Sequence, residues 1–166
     1  SGVDEILSRG RAPCINLNTA GALDLRPDRY EVRGSIMGIA DNDRRLTSDI
    51  DEIAPDGSQV RVLGSVCRGS MGHFTILKGQ TIRATCHQTV DEIWFVLAGK
   101  GEMWRKSADQ TLTVEISAGD SLCIPLGTAF QVRNTGVADL TVLGQTMPPW
   151  PGNDEAIYVD GPWQPS

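Results

Sequence analysis

The sequence predicts an all-β protein, built as an antiparallel sandwich or barrel. From Gln59 onward it divides into short apolar runs, among them TIRAT, EIWFVLA and LTVEI, each about as long as one strand. Turn residues separate these runs, in breaks such as KGQ, SAGD and NTGVAD. Strands that alternate with turns in this way are typical of antiparallel folds, whereas a parallel sheet would need helices between its strands.

The first third of the chain carries weaker signals. Arg29–Ala40 (RYEVRGSIMGIA) is the best strand candidate there, and Leu46–Ala54 (LTSDIDEIA) predicts one short helical turn. Ala54–Ser58 (APDGS) predicts a turn through its Pro-Asp-Gly chemistry. We therefore interpret residues 1–58 as an N-terminal extension, with strands and a short helix, of a single domain that spans residues 1–166.

The core of that domain is expected over residues 59–150, followed by a tail over residues 151–166. The tail region is rich in proline but carries Trp150, Tyr158 and Trp163. Aromatic side chains at such intervals predict an ordered segment that wraps over the barrel, because each ring buries a large apolar surface.

The composition and charge of the chain limit the classes of partner that it is expected to bind. The chain has 166 residues, of which 40% are hydrophobic and 22% charged, and its net charge is -6. Excess negative charge disfavours nucleic acid and anionic membranes as partners. No apolar run approaches the roughly 18–20 residues of a membrane-spanning helix. The opening SGVDEILSRG lacks the basic-then-apolar pattern of a secretory signal, so we expect a cytoplasmic protein.

Cysteine and histidine counts limit the chemistry of a site. The four cysteines include no C-x-x-C pair, which argues against a zinc knuckle and a disulfide framework. We expect them to be reduced and mostly buried. The chain has only two histidines, His73 and His87.

Two segments resemble the signatures of the cupin superfamily. The stretch from Gly79 to Gly99 is similar to the first signature, and Glu92 and Gly99 keep its glutamate-to-glycine spacing. GDSLCIPLGTAFQVRN resembles the second signature, whose expected positions are matched by Gly119, Pro125, Gly127 and Asn134. The resemblance covers about residues 59–150 and looks like the small single-domain bacterial cupins. It implies a cupin barrel (a double-stranded β-helix, or jelly roll) with a pocket at its mouth, an N-terminal extension and a C-terminal wrapping tail.

The resemblance also implies a metal site, which this sequence fills incompletely. In the family, two histidines and a glutamate of the first signature bind a divalent metal together with a histidine of the second. Here His87 matches the second histidine and Glu92 the glutamate, whereas Thr85 and Phe130 occupy the other two positions. We therefore favour a cupin without the usual metal. A divalent ion (Fe, Mn, Ni or Zn) stays an alternative if His73 faces inward to join His87 and Glu92.

A second alignment stays open within the first signature. A shorter spacer places the histidine pair on Cys86 and Gln88 instead. Cys86 is disfavoured as a ligand or nucleophile beside His87, because adjacent strand residues point to opposite faces.

His87 and Glu92 are the candidate catalytic residues, since a pocket carboxylate can tune an imidazole for proton transfer. Trp94, Trp104 and Phe130 are expected to shape an apolar pocket that contacts the substrate.

Arg83 and Thr85 are further candidate substrate contacts, and Arg83 would suit an anionic group. From these residues we expect a metal-independent isomerase, cyclase or lyase that acts on a small metabolite. A metal-dependent dioxygenase or lyase and a non-catalytic small-molecule-binding cupin are the alternatives. Cupins commonly pair, so a homodimer is expected.

Overall fold

The computed structural model describes residues 43–166, and the fold is all-β as the sequence predicts. The strands are β1 (Glu52–Ile53), β2 (Gln59–Val66), β3 (Gly69–Ile76), β4 (Thr85–His87), β5 (Asp91–Ala98), β6 (Lys100–Lys106), β7 (Thr111–Ser117), β8 (Ser121–Ile124), β9 (Ala129–Asn134), β10 (Leu140–Met147) and β11 (Ala156–Tyr158). A 3-10 turn, Asn153–Glu155, precedes β11. The strand predicted at Arg29–Ala40 lies outside the described residues.

The strands form two antiparallel sheets. The six-stranded sheet has the order β1-β2-β3-β10-β5-β8, and the five-stranded sheet has the order β11-β4-β9-β6-β7. Neighbours within each sheet come from distant parts of the chain, as in the pairing of β10 with both β3 and β5. This order is that of a jelly roll, so the predicted fold class is confirmed.

The core lies between the two sheets, because both contribute buried apolar side chains to one cluster. Strand β5 shows the sequence signal behind it: its burial alternates between exposed and buried residues, so that one face of the strand enters the core. The cluster includes Ile76, Trp94, Val96, Ile124 and Val142 from the first sheet and Met103, Ile116, Phe130 and Val132 from the second.

Gly99 makes the tight turn between β5 and β6. Its φ of 87° lies in the left-handed region that glycine adopts at little cost. A Cβ at this position would lie 2.5 Å from the carbonyl oxygen of Asp139 and 2.7 Å from the Cα of Leu140. The turn therefore requires glycine for its backbone conformation and for the close approach of a second chain segment.

Leu46–Ala54 forms no helix, contrary to the sequence prediction. The segment contains a bend followed by β1, which pairs with the start of β2. The strand pairing decides the conformation, because Asp51 accepts a hydrogen bond from the amide of Val62 at 2.7 Å and holds the segment extended along β2. The turn predicted at Ala54–Ser58 is present, with the amide of Gly57 donating to the carbonyl of Ala54.

The C-terminal tail is ordered and wraps over the five-stranded sheet, as predicted. Its strand β11 pairs with β4, and the side chain of Gln131 then bonds the backbone of Trp163 in both directions, at 2.8 and 3.0 Å. Further along, the amide of Ser166 donates to the carbonyl of Thr81. The tail thus extends the sheet by one strand and covers its outer face.

The cysteine prediction is wrong in part. Cys67 is disulfide-bonded, so it is not reduced as expected. Cys86 and Cys123 are free thiols, but Cys86 is half-buried and Cys123 is exposed. Over residues 43–166, no helix is long and apolar enough to cross a membrane.

Candidate functional site

A cavity of about 230 Å³ opens between the two sheets. Its wall includes four aromatic side chains, Phe74, Trp94, Phe130 and Trp150, and the polar side chains of Asp56, Thr85, His87 and Glu92. The volume falls below the roughly 300–1,000 Å³ of sites for drug-sized ligands, so the cavity suits a small metabolite.

His87 and Glu92 meet in this cavity from opposite sheets. Glu92 points inward because it occupies a buried position of the alternating strand β5, while Asp91 faces out and accepts a hydrogen bond from the amide of Leu126. His87 ends β4, whose two inward residues are Thr85 and His87. The Nδ1 atom of His87 lies 3.7 Å from the Oε2 atom of Glu92.

Burial shifts the acidities of this pair in opposite directions. It raises the pKa of the Glu92 carboxyl to about 8, an effect that the indole of Trp94 partly offsets and the charge of Asp56 reinforces. It lowers the pKa of the His87 imidazole, which the Glu155 carboxylate partly offsets. Both shifts follow from the cost of a charge in an apolar surrounding. At neutral pH Glu92 is therefore protonated and His87 is uncharged.

Two buried polar atoms of the cavity wall have no hydrogen-bond partner among the described residues: Nδ1 of His87 and Nε1 of Trp94. Buried polar atoms in folded proteins are almost always paired, and exceptions often mark a place for a ligand or a bound water. Both atoms lie in residues that line the cavity. They make the cavity a candidate site for a bound molecule.

Phe130 occupies the position where the resemblance implies a metal-binding histidine. Its ring meets the edge of His87 at a centroid distance of 5.3 Å and that of Trp94 at 5.7 Å. Trp150, from the segment after β10, packs against His87 from another side, also at 5.3 Å. The imidazole thus packs between two aromatic rings, which restricts its orientation.

Because Gly144 has no side chain, the space beside Glu92 stays open. Gly144 lies opposite Trp94 in the pairing of β10 with β5. A Cβ at this position would lie 2.8 Å from the Oε1 atom of Glu92 and 2.6 Å from the ring of Phe74. The cavity therefore reaches the carboxyl group of Glu92.

The structure does not bring His73 to the site. Gly72 and Phe74 line the cavity, and His73 between them projects from the opposite face of β3, where its neighbour across the sheet is Arg61. In the part of the chain that the structure describes, no three His, Cys, Asp or Glu side chains converge as ligands. The described donors that line the cavity do not fit the family's metal set, and His73 does not join His87 and Glu92 there.

Two other candidate contacts lie outside the cavity. Arg83 is exposed, with its guanidinium 4.6 Å from the ring centre of Tyr158. Trp104 is buried, but its neighbour Met103 is the residue that enters the core, so Trp104 faces the outer side of its sheet. There it lies opposite Gln131, which binds the tail. Thr85, Trp94 and Phe130 line the cavity, whereas Arg83 and Trp104 do not, and substrate contact stays a prediction for all five.

Asp56 is a cavity residue that the sequence analysis assigned only to a turn. It is buried, and its Oδ1 atom accepts hydrogen bonds from the amide and hydroxyl of Ser58 at 2.8 and 2.7 Å. Burial raises the pKa of its carboxyl, and the bonds from Ser58 offset part of this rise. The APDGS motif predicts the turn but not its position over the cavity, which depends on the pairing of β1 with β2.

Comparisons with known proteins agree with this architecture. Residues 72–144 match the family model of the cupin domain. An uncharacterized protein of Methanocaldococcus jannaschii, MJ1618, is 27% identical over 121 residues, which cover 68% of this chain and 94% of that protein.

Two solved structures illustrate the structural similarity. BH2720 from Bacillus halodurans has a TM-score of 0.53 and 21% identity, and the match covers 68% of this chain and 89% of that one. KdgF from Halomonas sp. has a TM-score of 0.52 and 18% identity, over 60% of this chain and 86% of that one. At these identities the similarity shows a shared fold.

Proposed function

This chain belongs to the cupin superfamily, and from that premise we propose that it is a metal-independent enzyme that isomerises, cyclises or cleaves a small metabolite by acid/base chemistry. The observation that carries the proposal is the placement of His87 and Glu92 3.7 Å apart on the wall of one cavity. A fold by itself does not define a reaction, so the argument depends on these two side chains.

The pair has the protonation states that proton transfer at neutral pH requires. Glu92 carries a proton it can give, because burial raises its pKa to about 8, and the uncharged imidazole of His87 can accept one. An acid and a base with acidities pushed apart by their surroundings are a recurrent arrangement in enzymes that move protons.

In the proposed step, a carbonyl compound lies between the two side chains. Glu92 donates its proton to the carbonyl oxygen while His87 removes a proton from the neighbouring carbon, and the carbon–hydrogen bonding pair becomes the carbon–carbon double bond of an enol. The imidazolium and the carboxylate that result stabilise each other across the cavity. Return of the imidazolium proton to another carbon of the enol system, and of the enol proton to Glu92, completes an isomerisation and restores both residues.

Hydrogen exchange with solvent tests this step and does not require the natural substrate. Acetophenone and 1-indanone are incubated with the protein in heavy water, and loss of the signals of the hydrogens next to the carbonyl is followed by NMR. We expect exchange that falls by a factor of about 100 or more in His87→Ala and in Glu92→Gln. Glu115→Gln, which changes an exposed carboxyl on β7, is the matched control and should exchange at the wild-type rate.

The exchange experiment can also reject the proposal. If His87→Ala and Glu92→Gln both exchange as fast as the wild-type protein, the pair does not transfer the protons. If the wild-type protein exchanges neither ketone, the enolisation step is wrong, and a binding function without chemistry becomes the better interpretation.

A homodimer and a cytoplasmic location stay predictions from the family resemblance and the sequence. Analytical ultracentrifugation of the full chain would test the first, with a mass of one chain as the contrary result.

A further inference from the structure

The residues of charged type that line the cavity are all acidic. Three carboxyl-bearing side chains line it, those of Glu52, Asp56 and Glu92, and the described residues of its wall include no lysine or arginine. Glu92 is protonated at neutral pH, which leaves the buried Asp56 as the carboxylate whose charge solvent screens little. An anionic ligand would lose its hydration on entry and find no cation to replace it. Built-in repulsion of this kind is how binding sites reject the wrong ligand.

The unpaired donor of the cavity wall requires an acceptor. The Nε1 atom of Trp94 is buried beside the Glu92 carboxyl, whose pKa it lowers, but it makes no hydrogen bond of good geometry among the described residues. An indole N–H can only donate, so a ligand that completes the site has to bring an oxygen or another acceptor. An ammonium group cannot do this, because all its hydrogen-bonding positions are donors. The donor therefore favours a neutral oxygen-bearing group over a cationic amine.

The aromatic wall and the volume of the cavity limit the shape of the ligand. Phe74 and Trp94 are stacked with an interplanar angle of 18°, and Trp94 meets Phe130 edge-on at 79°. Flat rings arranged in this way present a narrow apolar surface that a planar molecule can contact face to face or edge to face. The volume of about 230 Å³ accommodates one ring with a short substituent rather than a larger conjugate.

From these three features together, we propose that the substrate is an uncharged, planar molecule that presents a carbonyl or hydroxyl oxygen to Trp94 and Glu92, and that the cavity rejects carboxylates and phosphates. The inference rests on the proposed function in taking the bound molecule to be the substrate. It replaces the sequence-based expectation of an anionic group held by Arg83, which lies exposed and outside the cavity.

Three probes of one shape and different charge test the proposal. Benzamide, benzoate and benzamidinium each carry a planar substituent of similar size on one phenyl ring. At pH 7 benzamide is uncharged, benzoate carries one negative charge and benzamidinium carries one positive charge. Equilibrium binding to the full chain is measured by quenching of tryptophan fluorescence and by ligand-observed NMR. We expect benzamide to bind at least tenfold more tightly than benzoate, and also more tightly than benzamidinium.

Two variants assign the discrimination to the cavity. Trp94→Phe keeps an aromatic side chain at this position and removes the indole donor, so it should weaken benzamide several-fold and affect benzamidinium much less. Asp56→Asn removes the buried carboxylate with little change of shape, and it should strengthen benzoate several-fold relative to benzamide. Glu115→Gln, remote from the cavity, should change none of the three affinities.

Each contrary result has a definite meaning. Benzoate binding as tightly as benzamide would overturn the rejection of anions, and benzamidinium binding most tightly would assign the cavity to cationic amines. Failure of all three probes to bind would overturn the planar aromatic class. None of the probes has a hydrogen on a carbon next to the carbonyl, so they test binding alone. If the three probes bind in the expected order but the wild-type protein does not catalyse hydrogen exchange of the two ketones, the proposed function is rejected and this inference is retained.

Discussion

The Nδ1 atom of His87 lies 3.7 Å from the Oε2 atom of Glu92, across the space between the two sheets. This separation exceeds hydrogen-bonding distance, so neither side chain satisfies the need of the other for a partner. Both are nevertheless buried, which favours the uncharged form of each. The arrangement places a protonated carboxyl and an uncharged imidazole side by side in the cavity.

Glu92 makes the stability of the protein depend on pH near neutrality. Its pKa is raised in the folded state to about 8 from an ordinary value of 4.5, so the folded protein holds a proton that the unfolded chain has lost. The stabilising effect is present below the unfolded value and is lost as the pH rises through the folded value. Between about pH 7 and pH 8.5, we expect the free energy of unfolding to decrease by about 1 kcal/mol.

Urea unfolding across this pH window measures the effect. In Glu92→Gln the decrease should largely disappear, apart from any contribution from Asp56, whose pKa burial also raises. The buried imidazoles of His73 and His87 have lowered pKa values, so their effect falls below this window and has the opposite sign. The exposed substitution Glu115→Gln should retain the wild-type slope, and an unchanged slope in Glu92→Gln would contradict the assignment.

The positions of Thr85 and Phe130 predict that the missing metal ligands can be restored. The two residues are direct partners in the pairing of β4 with β9, and both line the cavity with His87 and Glu92. The variant Thr85→His/Phe130→His would supply three imidazoles and one carboxylate, a set that suits divalent transition metals. We expect it to retain about one equivalent of Ni²⁺ or Mn²⁺ after dialysis.

Metal analysis by mass spectrometry compares this variant with the wild-type protein and with Thr85→Ala/Phe130→Ala. The alanine variant opens the same space without adding ligands and should bind far less than one equivalent. Equal metal content in all three proteins would show that residues 85 and 130 do not control binding.

We expect Asp56 to stabilise the turn that lies over the cavity. Asp56→Asn keeps an oxygen that can accept from Ser58, so we expect little loss of stability. Asp56→Ala removes the acceptor and leaves a buried amide and hydroxyl without it, at a cost of about 1–3 kcal/mol. Thermal unfolding of the two variants distinguishes them, and equal destabilisation would mean that the charge of Asp56, rather than its hydrogen bonds, holds the turn.

Glu155 anchors the tail to the barrel. It is buried, and its carboxylate accepts bonds from the amide and hydroxyl of Thr89 and, at 3.0 Å, from the amide of Val90. Burial raises the pKa of Glu155, but these bonds outweigh it and hold the pKa below its ordinary value. We expect Glu155→Ala to lower the free energy of unfolding by about 2–4 kcal/mol and to speed hydrogen exchange in β11.

Hydrogen exchange read residue by residue by mass spectrometry tests this, with the exposed substitution Asp154→Ala beside it as the control. Because the pKa of Glu155 is lowered, its contribution is present above the unfolded value and is lost as the pH falls below it. Protection of β11 that is the same in Glu155→Ala and Asp154→Ala would contradict the anchoring role.

Local orientation along the strands was predictable from the sequence. Strand alternation placed Glu92 and Trp94 on one face and Asp91 on the other, and the same rule separated Cys86 from His87. It was less useful for His73 and Trp104, because alternation says that neighbours point to opposite faces but not which face meets the cavity. Both residues are buried, yet each lies on the outer side of its sheet.

By itself, the sequence determined an antiparallel all-β class, and its resemblance to the two cupin signatures added the jelly roll and the pairing of His87 with Glu92 as the residues to consider. These depend on short-range patterns: apolar alternation, turn residues and fixed spacings, all of which act within a strand or a turn. Only the tertiary structure brought Asp56 over the cavity, placed Trp150 against His87 and made room for a ligand at Gly144. Those contacts join segments that are distant in the chain, and the packing of the two sheets, which no local pattern encodes, decides them.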